Sequence, residues 1–450
     1  MENKELDKLR AEINILDDKI LDILESRANI VSSIGKHKNS LKNIVDLERE
    51  QKVLDRLINN SKTKYSKDTI VRIWRELFQA SSKLQQTNAD LIQTKRSINS
   101  INIYKGGKQN IFGKKNIIKL SSNESSYGPS PLVSKLSKSK KFLLDVNRYP
   151  EIDGETLRHS ISKYHGIDSE RIVLGCGSDE ALLFAALSFC RDGDEIVHAD
   201  HGFEMYPIIS KIVGATSKKI KEDKEFKISL KSIYDEITVA TKLIYLANPN
   251  NPTGTYLSQS FIKKLMKKIP KDIIVVIDGA YAEYVIKEDY NKGFALADEF
   301  ENIIFTRTFS KIYGLAGLRI GWSYSSKKVS EILNKVKGPF NTSSLAQNLA
   351  IAALSDQNYI NKVIKLNLDT KKWFEKELNK LQIKTYSSEG NFTFIKLTEI
   401  KAKKITKHLL DSGILIRQLN SYKLPDCIRI TIGTRQEMKT TIESLKKIKW

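Results

Sequence analysis

The sequence predicts an all-α module of three helices followed by an α/β unit built on a mainly parallel sheet. Three observations carry that division. From Leu6 the apolar residues recur as Leu6, Leu9, Ile13, Leu16, Ile20, Ile23, Ile30 and Ile34, mostly in steps of three and four, the spacing of one helix face. From Leu120 the pattern changes to short unbroken apolar runs separated by helical stretches, at 172–174, 195–198, 243–246, 273–277 and 303–305. Strands of this kind are covered on both faces and bind ligands at their carboxyl ends. Between the two parts, from residue 86 to about 119, the chain turns to Thr, Asn, Ser, Lys and Gly106-Gly107, the composition of a connector.

At 450 residues there is ample material for two or more domains, and 40% hydrophobic with 28% charged residues describes an ordinary globular chain. The net charge of +22 comes from lysines scattered through the sequence, with no arginine-aromatic patch. Anionic small substrates, and no nucleic acid, are therefore expected. The longest nearly unbroken apolar run, 181–190, is too short to span a bilayer, and charge begins at Glu2. A cytoplasmic protein without a membrane partner is expected. Three cysteines, Cys176, Cys190 and Cys427, lack paired spacing, so neither disulfides nor a metal site is expected. The lysine-rich stretches 137–141 and 217–227 read as loops.

In the helical module each apolar seam is interrupted. The first meets Arg27 after Ile23. The second carries Leu47, Leu54 and Leu57 with Glu50 between them, and the third begins near the N-cap type Ser66 and runs through Ile70, Ile73, Trp74 and Leu77 to Ser81 and Gln85. Buried polar groups are costly unless satisfied. Singly, each interruption fits an internal salt bridge, Arg27 with Glu50, or a solvent-facing end of the seam; jointly they favour a shared site for a small anionic ligand.

Residues 5 to about 88 resemble the all-helical chorismate mutases through Leu9-Arg10, Arg27, Gly35-Lys36-His37-Lys38, Asp46-Leu47-Glu48-Arg49-Glu50, Ser81 and Gln85. The resemblance implies a substrate site of Arg10, Arg27, Lys38, Asp46, Arg49, Glu50, Ser81 and Gln85, with Arg27, Lys38, Glu50 and Gln85 as its catalytic members. It also implies an intertwined dimer in which Arg10 reaches the partner protomer's site. Chorismate to prephenate is an intramolecular rearrangement, so arginines that clamp both carboxylates select the reactive conformer, while Lys38 and Gln85 would face the ether oxygen where charge grows.

In the α/β unit most strand ends carry a distinctive motif. The run 172–174 is followed by Gly175-Cys176-Gly177-Ser178-Asp179-Glu180, which reads either as a plain tight turn or as a helix start whose amides cradle a phosphate. The run 243–246 leads to Asn248-Pro249-Asn250-Asn251-Pro252-Thr253-Gly254, and 273–277 leads to Asp278 and Tyr281. Asp278 alone reads equally as a helix N-cap. The last run leads through Thr308 and Ser310 to Lys311 and then Arg319. Alone, Lys311 reads as a surface lysine; beside two hydroxyls and an arginine it suits an aldehyde cofactor that carries a phosphate.

Together these motifs resemble the class I/II aminotransferases of fold type I, over residues 106–450, with residues 1–88 and a linker at 89–105 before them. The resemblance implies pyridoxal 5′-phosphate as cofactor, in a large domain on a mainly parallel sheet plus a small α+β domain. Lys311 would form the Schiff base. Gly177, Ser178, Asp179, Thr308, Ser310 and Arg319 would surround the phosphate, Asn251 and Tyr281 the ring hydroxyl, Asp278 the ring nitrogen, and Phe203 the ring face. Tyr149 would reach the phosphate in the neighbouring protomer.

Within that class the pattern is similar to the histidinol-phosphate aminotransferases, through Ser121-Ser122-Asn123-Glu124, Tyr127-Gly128-Pro129, Arg148-Tyr149-Pro150, Gly413-Ile414-Leu415-Ile416-Arg417 and Ile428-Arg429-Ile430. The chain departs from it at Ser125-Ser126 and at His201-Gly202, which precede Phe203. The likeness implies that Arg429 binds the substrate carboxylate and that Arg417 and Tyr127 meet its distal group. The expected activity is amino transfer between glutamate and an aromatic keto acid, prephenate or imidazole acetol phosphate, in a homodimer or larger homo-oligomer. The alternative is a strict histidinol-phosphate aminotransferase whose helical module only dimerises or binds an effector.

Overall fold

The computed structural model describes residues 2–37, 46–60, 62–84, 95–101, 103, 117–139, 146–290 and 293–448. They form two compact units, Met1–Asn99 and Ser100–Trp450. In the first, α1 (Glu2–His37), α2 (Leu47–Asn60) and α3 (Lys67–Leu84) follow the three apolar patterns. Asp46 caps α2, its carboxylate accepting from Arg49 N at 2.9 Å, and Ser66 caps α3, accepting from Thr69 N at 3.1 Å. These caps satisfy amides that the first turn of a helix leaves without intrahelical partners.

The helix α3 packs against both others, and the small core includes Val31, Leu54 and Val71. A helix of 36 residues is about 54 Å long, twice the length of the 18-residue α3. Much of α1 is therefore beyond the reach of its neighbours. Its stripe of Leu6, Leu9, Ile13, Leu16, Ile20, Ile23, Ile30 and Ile34 stays between 45% and 67% exposed.

The second unit is built on strands β1 (Ile118–Lys119), β2 (Ile172–Gly175), β3 (Glu195–Ala199), β4 (Thr216–Ile220), β5 (Thr241–Ala247), β6 (Ile274–Asp278), β7 (Ile303–Thr308) and β8 (Gly321–Ser325), then β9 (Thr385–Tyr386), β10 (Phe392–Lys396), β11 (Ile414–Leu415), β12 (Arg417–Leu419) and β13 (Leu424–Thr431). The main sheet has seven strands in the order β2-β8-β7-β6-β5-β3-β4. Only β8 runs antiparallel to its neighbours. Side chains alternate across each strand, so Ile244, Leu246, Val275, Ile277 and Phe305 enter one core while Leu243, Tyr245, Ile274, Val276 and Ile304 enter another. Both faces are covered, which is why these strands contain no polar alternation.

The run 181–190 lies largely in the helix Ser178–Phe189, buried beside the sheet, and no helix among the described residues is long and apolar enough to cross a membrane. A smaller four-stranded sheet, β12-β13-β10-β9, packs with the helices Gln357–Lys380, Glu399–Asp411 and Arg435–Lys446 over a third core around Phe374, Leu409, Ile430 and Ile442.

One expectation is corrected here. The stretch 217–227 reads as a loop, yet its first residues belong to β4, paired in parallel with β3 from Glu195↔Thr216 to Ala199↔Ile220. As an edge strand β4 has one open side, and Ser217, Lys218 and Lys219 remain partly exposed. Lysines there leave no apolar signature and discourage pairing with a foreign strand.

The β3–β4 junction also holds a buried histidine. His198 Nδ1 lies 2.7 Å from Ala199 O and Nε2 lies 2.6 Å from Ser217 Oγ, and burial lowers its pKa to about 4. In the unfolded chain it titrates near 6.5, so between these values the unfolded state binds more protons. Stability from this group is intact above pH 6.5 and lost as pH falls toward 4, by roughly 3 kcal/mol in all. The urea midpoint should therefore fall more between pH 7 and pH 4.5 in the natural protein than in His198→Gln; equal falls would remove His198 as the cause.

Candidate active site

The strand register builds the floor of the site. At the carboxyl ends Ala247 lies beside Asp278 and Asp278 beside Thr306. Thr306 Oγ1 donates to Asp278 Oδ1 at 2.9 Å, and Tyr206 Oη, from the helix Met205–Ile212, donates to Oδ2 at 2.9 Å. Tyr206 is itself fixed by stacking on Tyr245, with ring centroids 4.8 Å apart and planes 10° apart.

Burial pushes the Asp278 pKa up, while the two donors, and Arg307 more weakly, pull it down. Burial, then the neighbouring Asp278, raises the Tyr206 pKa well above its usual value, so the phenol keeps its proton and donates. A carboxylate buried this deeply and paired only with neutral donors is suited to a cationic N–H presented from the cavity.

Above this floor opens a cavity of about 270 Å³, walled by Ser178, Asp179, Phe203, Asn251, Asp278, Tyr281, Thr308, Ser310, Lys311, Arg319, Arg417 and Arg429 among others. At one end Thr308 Oγ1 donates to Ser310 Oγ at 2.9 Å, Arg319 Nη1 donates to the same oxygen at 3.2 Å, and Arg319 Nη2 lies 3.3 Å from Asp179 Oδ2. The helix Ser178–Phe189 starts at this end, so its free amides point toward an anion.

Two glycines make that approach possible. Gly177 sits at φ +82, and a Cβ on it would strike the Arg319 guanidinium. Gly321 pairs with both Gly175 and Thr308, and a Cβ on it would stand 2.5 Å from Gly177 C and 2.6 Å from Ser178 N.

The amine of Lys311 lies 3.3 Å from Ser122 O and 5.6 Å from the Tyr281 ring centroid. Tyr281 Oη accepts from Asn123 Nδ2 at 2.9 Å, which frees the phenolic hydrogen to donate elsewhere. Asn123 is held at φ 55 by Thr431, whose Oγ1 accepts from Asn123 N at 2.9 Å and donates to Asn123 Oδ1 at 3.0 Å. Asn251 Oδ1 accepts from Arg429 Nη1, leaving the Asn251 amide as a donor. Tyr281 and Asn251 thus both offer hydrogens, the arrangement an anionic ring oxygen requires. Arg429 Nη2 donates to Ser121 O at 2.9 Å, and its buried Nε has no acceptor among the described residues. An orphaned guanidinium N–H of this kind marks a place for a carboxylate.

Two expected residues stand apart from these contacts. Tyr127 is half-buried against the main core, its phenol bonded to Thr370 and its carbonyl accepting from Tyr359 Oη at 2.7 Å, both on the helix Gln357–Lys380. Tyr149 lies on the surface, 81% exposed and stacked on Phe340 with centroids 4.5 Å apart. Sequence reasoning assigned no role to Tyr206, Asn123 or Glu204. For Tyr206 a signal existed, since three residues after Phe203 is one helical turn.

In the helical unit, Arg27 Nη1 donates to Ser81 Oγ at 2.5 Å and lies 3.5 Å from Leu77 O, which joins the polar seam positions of α1 and α3. Glu50 is half-buried on α2, Arg49 is exposed, and Asp46 serves as the α2 cap. Arg10 is exposed and pairs with Asp7 at 3.3 Å. Lys38 and Gln85 lie outside the described residues.

Comparison with known proteins now gives the class. Residues 115–445 match the family model for aminotransferase class I and II, and the chain belongs to that family. Its particular form is a fusion, because residues 9–86 match the model for chorismate mutase type II. The chain is similar to the histidinol-phosphate aminotransferase of Roseobacter denitrificans, 39% identical over 359 residues that cover 80% of this chain and 99% of the relative. It is likewise similar to that of Pelagibacter ubique, 40% identical over 351 residues covering 77% and 97%. Its fold is similar to the crystal structure of histidinol-phosphate aminotransferase from Sinorhizobium meliloti in complex with pyridoxal-5′-phosphate, with a TM-score of 0.72 at 24% identity, covering 80% and 98%.

The cofactor is pyridoxal phosphate, and the cavity fits it: an anion cup beside Arg319, donors for a ring oxygen, a carboxylate for the ring nitrogen, and an amine between them. Hydrogen bonds to a charged group contribute about 1.5–3 kcal/mol. Tyr206→Phe should accordingly weaken cofactor binding about tenfold in equilibrium dialysis, and Gly321→Ala by more, because backbone must move. An unchanged affinity in Tyr206→Phe would remove that phenol from the site.

Proposed function

We propose that the chain is a bifunctional enzyme: a helical chorismate mutase at residues 1–88 and, after a linker at 89–105, an aminotransferase at 106–450. The aminotransferase exchanges nitrogen between glutamate and an aromatic keto acid, prephenate or imidazole acetol phosphate. The observation that carries this reading is the convergence of the Lys311 amine, Arg429 and Arg417 on one cavity. Bound pyridoxal phosphate supplies the electron sink that makes the substrate's α-proton acidic.

The chain's residues do the rest. Arg429, held by Asn251 and Ser121, takes the α-carboxylate common to every substrate. Lys311 Nζ, close enough to Ser122 O to be oriented by it, removes the α-proton as general base. Arg417 meets the distal group. Tyr149, exposed on its own protomer, would serve a partner's phosphate end, and its exposure supports that role. The uncovered stripe of α1 suits a second copy of the same helix, and Arg10 beside it suits a shared mutase site. This reading places the enzyme in the cytoplasm.

For the mutase half, Arg27 is anchored to α3 and can clamp a carboxylate without first paying the entropy of ordering. A second reading, a strict histidinol-phosphate aminotransferase with a non-catalytic helical module, is favoured by the α1 stripe, which dimerisation alone would explain. Arg27→Ala decides between them. On the first reading it lowers chorismate turnover at least a hundredfold, about 2.7 kcal/mol, and leaves transamination unchanged. Absence of chorismate turnover in the natural protein supports the second.

The acceptor is tested on protein loaded with cofactor and aminated by glutamate, by comparing kcat/KM for reoxidation with imidazole acetol phosphate, prephenate and phenylpyruvate. Aromatic acceptors within tenfold of the imidazole phosphate support a dual-range site; a preference for the phosphate beyond a thousandfold would reduce the reading to histidinol-phosphate chemistry.

A further inference from the structure

Two of the arginines that line the cavity, Arg429 and Arg417, differ in how their charge is met. Among the described residues Arg429 donates to neutral partners, Asn251 and Ser121, and keeps a buried Nε without an acceptor. Arg417, on β12, is held by an acid: its Nη2 lies 3.1 Å from Glu204 Oε2, and also 3.3 Å from Ser421 Oγ. The Arg417 and Glu204 side chains are only 14% and 13% exposed, so the pair is shielded from water.

Glu204 directly follows Phe203, which lines the cavity, and it occupies the N-cap of the helix Met205–Ile212. Its carboxylate makes no capping hydrogen bond there. Instead it faces the guanidinium.

We propose that Glu204 is a specificity-determining counter-ion for the distal end of the substrate. A site that takes both neutral and anionic distal groups has a problem at that end. Without an acid nearby, the charge of an arginine this shielded from water would be less well compensated when it faces an aromatic ring. With Glu204 beside it, Arg417 remains paired when the distal group is a neutral ring. When the distal group is a carboxylate or phosphate, Arg417 is shared with it, and the new anion must compete with Glu204 at close range. The counter-ion therefore shifts preference toward neutral distal groups while leaving anionic ones usable, as a glutamate donor requires. Among the described residues Arg429 has no such competitor, which matches its duty to a carboxylate that every substrate carries.

This inference rests on the dual-range reading of the site, and the experiment separates the two. Glu204→Gln preserves size and a hydrogen-bond acceptor for Arg417 but removes the charge. In the half-reaction, kcat/KM for imidazole acetol phosphate should rise relative to phenylpyruvate by about tenfold, carried by KM. Glu204→Asp, which keeps the charge, should stay within threefold of the natural ratio. The equilibrium arm uses two unreactive ligands on the cofactor-loaded protein, glutarate and 3-phenylpropionate, measured by calorimetry. Glu204→Gln should tighten glutarate relative to 3-phenylpropionate in the same proportion.

A ratio that moves less than twofold in the calorimetric arm, or a loss of both ligands by the same factor, overturns the proposal and leaves Glu204 as packing. If the natural enzyme fails to turn over phenylpyruvate at all, the dual-range reading falls. The calorimetric ratio still decides whether Glu204 acts as a counter-ion, since it needs no turnover.

Discussion

The hydrogen-bonded carboxylate of Asp278 is the constraint from which the rest of the large unit follows. It is buried at the end of β6, where it lines the cavity, and burial works against its charge. Thr306 from β7 and Tyr206 from a neighbouring helix relieve that cost with one hydrogen bond each, and neither brings a compensating cation into contact. Such a carboxylate is stabilised best when a positive group binds in front of it, so the protein stores in its floor a preference for a protonated ring nitrogen. The parallel register of β5, β6 and β7 then determines where the other groups stand.

The same economy governs the polar side chains above the floor. Asn123 uses its amide on Tyr281, Thr431 uses its hydroxyl on Asn123, and Arg429 uses one nitrogen on Asn251. The Thr431 bond fixes Asn123, the Asn123 bond leaves the Tyr281 phenolic hydrogen free to donate, and the Arg429 bond leaves the Asn251 amide as a donor. These side chains are oriented by the hydrogen bonds they make with one another. In the helical unit the Arg27 to Ser81 bond works similarly, holding a guanidinium between α1 and α3.

How much of this is legible in the sequence depends on range. Unbroken apolar strands announce themselves because both faces are buried, so β5, β6 and β7 and the residues at their ends can be read directly, including Asn251, Asp278, Thr308, Ser310 and Lys311. The edge strand β4 is invisible, since its open side tolerates Ser217, Lys218 and Lys219 and periodicity has nothing to detect. Tyr206 and Glu204 were not assigned because their partners, Asp278 and Arg417, are 72 and 213 residues away, and no local spacing encodes such pairs. For Tyr127 the motif carries a substrate role, while its bond to Thr370 is a tertiary contact that no local spacing announces. Polar interruptions of helix stripes were informative at Arg27 and Ser81, where they meet in space.

The row formed by Ala247, Asp278 and Thr306 also bears on how such a chain can vary over time. Because neighbouring strand residues face opposite sides, one residue inserted within Ile274–Asp278 would turn Asp278 to the other face of the sheet. A substitution there weakens the site, but a single insertion removes it while leaving the strand itself intact. Changes of length in the loops at the far ends of these strands leave that row in register, whereas at the cavity itself only an exchange of side chains does.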